Sequence, residues 1–434
     1  MDRPNIVYLH SHDTGRCVQP YGHPVATPSI QRLAEQGLLF RKAFCAAPSC
    51  SGSRACLLTG QWAHVNGMTG LAHRGWRLRD YGRHVVHPLR EAGYWSALIG
   101  EQHLSADPAD LGYDHVVGLG STRVQAVAPA ARELLRSRPP RPFFLSIGFF
   151  ETHREFFAPG AERDALYVAP PAPLPDTPET RADMAAFRAS ARSLDRGVAA
   201  VLEALDELGP AGDTVVVLTT DHGLPFPGAK ATLSDRGLGV LLIVRGPGRF
   251  PAGRVSDALV SQVDLYPTFC ELAGAPLPGE VAGRSLLPLV RGEVRAVREE
   301  LFAELTYHAA YDPQRAVRTR RHKLVRLFGD RLEPVLPNVD DSPTKEVLLA
   351  AGWGERPRPR VALYDLLLDP EEQRNLAGDP ELAGLQADLV RRLDDWMVTT
   401  GDPLVGGPVA PPPGAVVDDP AGLSPGDPLV AEID

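Results

Sequence analysis

Cys50 stands four residues before Arg54 in the stretch P-S-C-S-G-S-R-A-C, at the start of the helix-like A-C-L-L-T-G. A side chain at a helix start meets free backbone N–H groups and the positive end of the helix dipole, which suits an anionic substrate. Arg54 adds a permanent cation with forked donors. Together they lower the pKa of a thiol. Cys45, Cys56 and Cys270 read better as buried structural cysteines. Spacing alone leaves Cys50 open to either reading.

A second group of residues has types suited to a cation. His12-Asp13 and Asp221-His222 each follow an apolar run. Two carboxylates and two imidazoles converging from separate strand ends supply oxygen and nitrogen ligands for a divalent ion. Either pair taken singly reads equally well as a helix cap or a solvent-facing pair. Glu101, Gln102 and His103 follow another such run, and Glu151 and His153 follow a third.

The elements that position these residues are legible as alternating patterns. Asn5–Leu9, Trp95–Ile99, Phe143–Phe149, Thr214–Thr219 and Val240–Val244 have the profile of buried strands. Pro28–Gln36, Gln125–Arg138, Thr180–Leu208 and Val263–Ala273 have helical spacing. Strand-helix alternation predicts an α/β fold with a large, mostly parallel sheet flanked by helices. Ligands in such sheets sit beyond the carboxyl ends of the strands, where His12, Asp13, Glu101, His103, His153, Asp221 and His222 fall. From Leu301 the strands shorten, as in Ala316–Thr319 and Lys323–Phe328, and a last helix spans about Pro380–Val398. The expected organisation is therefore a catalytic α/β domain over 1–298 and a smaller α+β domain with an antiparallel sheet over 299–401. A Pro/Gly/Asp-rich tail follows over 402–434, expected to be extended or disordered.

Composition excludes several classes. The 434 residues carry a net charge of −9 spread along the chain, without the basic stripe that a nucleic-acid binder needs. The stretch around Arg318–Arg321 is short and reads as a solvated face. No apolar stretch approaches a membrane span, and M-D-R-P-N-I-V-Y-L-H runs into a strand without the apolar core of a secretory signal. A cytoplasmic location is expected, and no oligomeric state is implied. Five cysteines without C-x-x-C spacing argue against a disulfide scaffold or zinc knuckle.

The stretch A-A-P-S-C-S-G-S-R-A-C-L-L-T-G-Q-W-A-H-V-N-G-M resembles the signature of the formylglycine-dependent (type I) sulfatases of the alkaline phosphatase superfamily. That signature is C-x-P-S-R or C-x-A-S-R, then L-L-T-G and H-x-x-G. Further matches follow in order: R-P-N-I-V-Y, T-P-S-I-Q-R-L-A-E-Q-G-L-L-F, I-G-x-x-H at 99–103, P-F-F-L at 142–145, T-T-D-H-G at 219–223 and A-L-Y-D-L-L-L-D-P-E-E-Q-R-N-L-A. They cover about residues 3–400. D-H-G-L-P-F-P-G-A-K and H-V-N-G-M-T-G-L are most similar to the heparan N-sulfatase branch (N-sulfoglucosamine sulfohydrolases).

The resemblance implies that a separate formylglycine-generating enzyme oxidises Cys50 to formylglycine. The hydrated aldehyde would attack sulfur with one hydroxyl and expel sulfate through the other. Asp13, Asp221 and His222 match metal positions, with His12 where the family usually has Asp and Cys50 as a further ligand. Ca²⁺ is the first expectation; the two imidazoles favour Mn²⁺ or Zn²⁺. Arg54 would hold the formylglycine, His103 would bond the diol, and Lys230 and His153 would bind sulfate, His153 also protonating the leaving group. The implied substrate is a sulfated small molecule or saccharide. Tyr307, His308 and Arg315, where the smaller domain begins, either frame the mouth of the site or form ordinary strand surface. Gly52 departs from the Pro or Ala of the modification motif, and Glu101 from the usual Lys. A phosphonate or phosphate mono- or diester hydrolase of the same superfamily, and a catalytically degenerate binding homologue, are the competing readings.

Overall fold

The computed structural model describes residues 3–159, 162–209 and 211–427. Its strands in chain order are β1 (Asn5–Ser11), β2 (Leu38–Phe40), β3 (Ala43–Phe44), β4 (Trp95–Gly100), β5 (His115–Val117), β6 (Phe143–Gly148) and β7 (Thr214–Thr220). They continue with β8 (Leu242–Arg245), β9 (Arg254–Ser256), β10 (Val260–Ser261), β11 (Glu300–Tyr307), β12 (Tyr311–Thr319), β13 (His322–Leu327) and β14 (Val361–Asp365). The main sheet has the order β5-β4-β6-β1-β7-β8-β2-β9. Within it β8 pairs antiparallel with both neighbours, while the other pairings are parallel.

Alternation along each central strand builds two cores. Val7 and Leu9 of β1, with Leu145 and Ile147 of β6, pack on one face against the helices Val124–Arg136 and Pro178–Leu208. Ile6 and Tyr8 point to the other face, against Leu57, Leu58, Leu265 and Phe269 from the helices Cys50–Thr59 and Leu265–Ala273. The period of two is the pleat itself, and both faces must be apolar because helices cover both. The smaller sheet β11-β12-β13-β14 is antiparallel throughout. Its residues Val317, Leu324 and Leu363 pack on Leu389, Leu393 and Trp396 of the helix Ala383–Thr400.

Two expectations are corrected here. The tail from Asp402 is irregular and mostly exposed or half-buried through the described residues, but it is held down at buried anchors, Asp402, Leu404 and Asp418. Asp402 is buried in a two-pronged bond with Arg315, with Nη2 donating to Oδ1 at 2.9 Å, and the Tyr307 hydroxyl donates to the Val409 carbonyl at 2.6 Å. Arg315 and Tyr307 are thus buried anchors for the tail, neither mouth residues nor exposed strand surface. Arg315 also donates to the Leu305 carbonyl at 2.8 Å and lies 3.6 Å from Glu304. Arg315→Met should cost about 3–5 kcal/mol, because it leaves Asp402 as a buried charge without its cation. A thermal or urea unfolding midpoint close to the parent's would contradict this. No helix among the described residues is long and apolar enough to cross a membrane.

Candidate active site

Four adjacent strands, β4, β6, β1 and β7, run parallel, so their carboxyl ends share one rim. The chain leaving β1 delivers His12 and Asp13, and that leaving β7 delivers Asp221 and His222. β4 gives way to Glu101 and His103, and β6 to Glu151 and His153. Close approach of these strand ends depends on Gly148, where a Cβ would lie 2.2 Å from the Glu101 carbonyl and 2.4 Å from the His10 ring. Asp13, His103 and Ala231 all hold positive φ (56°, 58° and 56°) around this rim, a backbone cost that surrounding structure must sustain.

The helix Cys50–Thr59 points its first residue into the same rim, with Ser49 in extended conformation before it. Cys50 Sγ lies 3.3 Å from His222 Nε2. Gly52 is close-packed: a Cβ there would sit 3.2 Å from Ala47 Cβ and 3.3 Å from the Met68 carbonyl. Donor atoms of His12, Asp13, Cys50 and Asp221 all lie within 4.8 Å of one another and all four residues are buried. His12 Nδ1 is 2.8 Å from Asp13 Oδ1 and 3.2 Å from Asp221 Oδ2, and His222 Nε2 is 3.2 Å from Asp13 Oδ1. Arg54 Nη2 donates to Asp221 Oδ2 at 3.0 Å and to the Ser11 carbonyl at 3.1 Å. Arg54 therefore reaches the rim through Asp221.

This donor set fits a divalent cation. Burial opposes a charge on His12, yet Asp221, Cys50 and Asp13 outweigh it and hold the His12 pKa well above its usual value. Burial likewise opposes ionisation of Asp13, and Lys230 and His12 overcome it. Two buried carboxylates that pull positive charge into their midst mark a place built for a cation. Burial also works against a Cys50 thiolate, but His12, Lys230 and His222 bring its pKa well below that of an ordinary thiol.

The rim opens into a cavity of about 320 Å³ whose wall includes Cys50, His12, His103, His153, Lys230 and His308. Lys230 Nζ donates to Asp13 Oδ2 at 2.9 Å and to Asp340 Oδ2 at 3.0 Å, and lies 3.3 Å from His153 Nε2. His308 Nδ1 is 3.0 Å from Ser49 Oγ, and burial with Lys230 nearby pushes its pKa down to about 3. Burial, then Lys230, lowers His153 too. Of the residues singled out in the sequence, His12, Cys50, Glu101, His103, His153, Lys230 and His308 line the cavity itself, Arg54, Asp13, Asp221 and His222 stand directly behind it, and Gln102, Glu151, Tyr307 and Arg315 are not in its wall. Glu101 also faces the cavity. Burial opposes its charge, but His103, His12 and Arg54 hold its pKa below the usual value, and Thr122 Oγ1 donates to it at 2.9 Å.

Several wall residues carried no sequence signal, among them Asp340, His73 and Pro425. Asp340 comes from the smaller sheet's side, in V-D-D-S-P, where it reads as part of the cap that Ser342 forms for the helix Pro343–Ala350. His73 Nδ1 lies 3.0 Å from His103 Nε2, and Pro425 comes from the tail.

The chain matches the sulfatase family model over residues 4–275 and the model for the N-sulphoglucosamine sulphohydrolase C-terminal region over 229–346. It is 33% identical to N-sulphoglucosamine sulphohydrolase of Homo sapiens, covering 93% of this chain and 92% of that one. It is 28% identical to an ulvan-active sulfatase of Formosa agariphila, over 95% of this chain and 84% of the relative. Its fold is similar to that of a protein solved with its substrate D-glucosamine-2-N,6-O-disulfate (TM-score 0.75, 19% identity, 94% of this chain and 99% of that one). It is also similar to a phosphonate monoester hydrolase from Silicibacter pomeroyi (TM-score 0.68, 22% identity, 92% and 96%).

Proposed function

Because the chain belongs to the sulfatase family, we propose that it removes sulfate from a small sulfated amino sugar, N-sulfoglucosamine being the first candidate, with Cys50 as the residue that attacks sulfur. The observation that carries this reading is the meeting of Cys50, at a helix start, with side chains from four parallel strand ends at one cavity. Converted to formylglycine, Cys50 would supply a hydrated aldehyde as nucleophile and as the means of releasing sulfate. His12, Asp13, Asp221, His222 and the modified Cys50 would hold a divalent cation, Ca²⁺ first and Mn²⁺ or Zn²⁺ as alternatives, which when bound supplies a Lewis acid.

The chain's own groups divide the remaining work. Lys230 and the free N–H groups at the start of the helix Cys50–Thr59 bind the sulfate oxygens. Burial opposes a charge on Asp221, and His222, His12 and then Arg54, which bonds Oδ2, hold its pKa below the usual carboxylate value. His103 accepts or returns a proton at the nucleophile. His153 lies beside Lys230, and a bound sulfate is the counter-charge that raises its pKa, so that it can protonate the departing nitrogen or oxygen. His308 is neutral and offers a ring nitrogen for hydrogen bonding to the sugar.

A second reading, a phosphate or phosphonate ester hydrolase, is kept because Glu101 stands in the wall where the sulfatase pattern has Lys, although its carboxylate would repel a phosphate dianion more than a sulfate monoanion. At close range such repulsion is about 4 kcal/mol at an intermediate dielectric. Purified protein from its own host, assayed on N-sulfoglucosamine, 4-nitrophenyl sulfate and 4-nitrophenyl phosphate, distinguishes these. The expected order places N-sulfoglucosamine about 100-fold or more above the phosphate in kcat/KM, a discrimination of about 2.7 kcal/mol. A preference for the phosphate would replace the proposal with the second reading. Absence of both turnover and bound metal would leave a degenerate binding homologue.

A further inference from the structure

The tail reaches the cavity by a defined path. After Asp402 and Val409 are anchored on Arg315 and Tyr307, the chain returns to the loop that carries His73 and Arg74. There Val416 N donates to the Arg74 carbonyl at 2.8 Å, and Asp418 N donates to the Ala309 carbonyl at 2.9 Å. Asp418 is fully buried and accepts from Arg74 Nη1 at 2.7 Å and Nη2 at 3.1 Å, a two-pronged pair of the strong kind. Its Oδ2 also accepts from Gly426 N at 3.0 Å. Asp427 closes the same turn, accepting from Leu423 N at 2.6 Å and Ser424 N at 2.9 Å. Between these bonds sits Pro425, in the wall of the catalytic cavity together with Arg74 and Ala309. A rigid ring is therefore fixed against the cavity by an ion pair in which Asp418 is buried and Arg74, itself a wall residue, is half-buried.

We infer that segment 415–427 is a specificity-determining wall: the Arg74–Asp418 latch holds Pro425 so that the cavity accepts a single sulfated ring and rejects a longer chain. The cavity volume, about 320 Å³, is at the small end of the roughly 300–1,000 Å³ that ligand sites span. Arg74 and Asp418 are positioning residues, acting through Pro425. The inference rests on the sulfated-sugar reading for its choice of substrates but not for its geometry.

Two full-length variants test it. Asp418→Ala breaks the latch, and Pro425→Gly removes the ring while leaving the latch bonds in place. Both should raise the ratio of kcat/KM for an N-sulfated tetrasaccharide to that for N-sulfoglucosamine by about tenfold, the scale on which pocket shape discriminates. The gain should come through a lower KM for the longer chain. Pro425→Gly should melt close to the parent, so a failure of Asp418→Ala to fold would leave the measurement decisive. An unchanged ratio in the folded variants would overturn the inference, as would a parent that takes the tetrasaccharide as efficiently as the single sugar. If neither sugar is turned over, the sugar reading fails by itself. The same ratio is then read with 4-biphenylyl sulfate against phenyl sulfate, as turnover or, where there is none, as binding by calorimetry.

Discussion

Cys50→Ala is expected to lower kcat on 4-nitrophenyl sulfate by about 10⁴-fold or more, the scale seen when a covalent nucleophile is removed. The expectation follows from position: Sγ is buried, 3.3 Å from His222 Nε2, at the start of a helix and at the floor of the cavity. The same substitution should cost little stability, about 1 kcal/mol for one small buried atom, so loss of turnover cannot be charged to unfolding. Cys50→Ser separates the chemistries further. A serine hydroxyl can attack sulfur once, passing its proton to the departing alcohol or amine, but lacks the second hydroxyl that expels sulfate, so this variant should stall as the serine sulfate ester and gain the mass of one SO₃. In the parent, the tryptic peptide containing Cys50 should be lighter by one sulfur and two hydrogens and heavier by one oxygen. The close packing around Gly52 bears on this, because a maturing enzyme must accept a helix start whose third residue has no room for a Cβ without small shifts. An unmodified thiol, together with an undiminished Cys50→Ala variant, would remove Cys50 from the reaction.

What was legible beforehand follows from what burial does to a sequence. A strand covered on both faces must be an apolar run, and the polar residues that stop it must sit at its end. For that reason β1, β4, β6 and β7 and the residues following each of them were visible from types alone, and with them His12, Asp13, His103, His153, Asp221 and His222. The helix Pro178–Leu208 was equally plain, since long helices repeat their pattern. The edge strands β5 and β9 were not seen, because they are three residues long and largely exposed, so pairing rather than pattern creates them. Asp340 and Lys230 are brought together across 110 positions by the packing of the smaller sheet on the larger, which no local pattern encodes. Asp402 and Asp418 misled in the opposite direction. Amid Pro and Gly they have the composition of a solvated tail, and only the positions of Arg315 and Arg74 turn them into buried anchors.

Asp221→Asn should remove bound metal and lower turnover by about 10³-fold or more, the measure of losing a preorganised charge in a water-poor site. Each oxygen of Asp221 has work that an amide does only in part. Oδ1 accepts from the backbone N–H groups of Asp13 at 2.8 Å and His222 at 2.9 Å, which an amide oxygen can still do. Oδ2 faces Arg54 Nη2 at 3.0 Å and His12 Nδ1 at 3.2 Å, so the amide NH₂ would present donors to a cation and an imidazole. Arg54 would then be buried without its only carboxylate partner at hydrogen-bond distance among the described residues, a situation that typically costs about 3–5 kcal/mol, and about that much stability should be lost. Metal content by mass spectrometry, melting temperature and turnover per folded molecule read the three effects separately. A variant that melts lower yet keeps its metal and its turnover would make Asp221 only the counter-charge of Arg54. If metal and turnover fall together and Ca²⁺, Mn²⁺ or Zn²⁺ restores the stripped parent but not the variant, Asp221 is a ligand. The ion that restores the parent best then decides whether the two imidazoles or the two carboxylates govern the choice of cation.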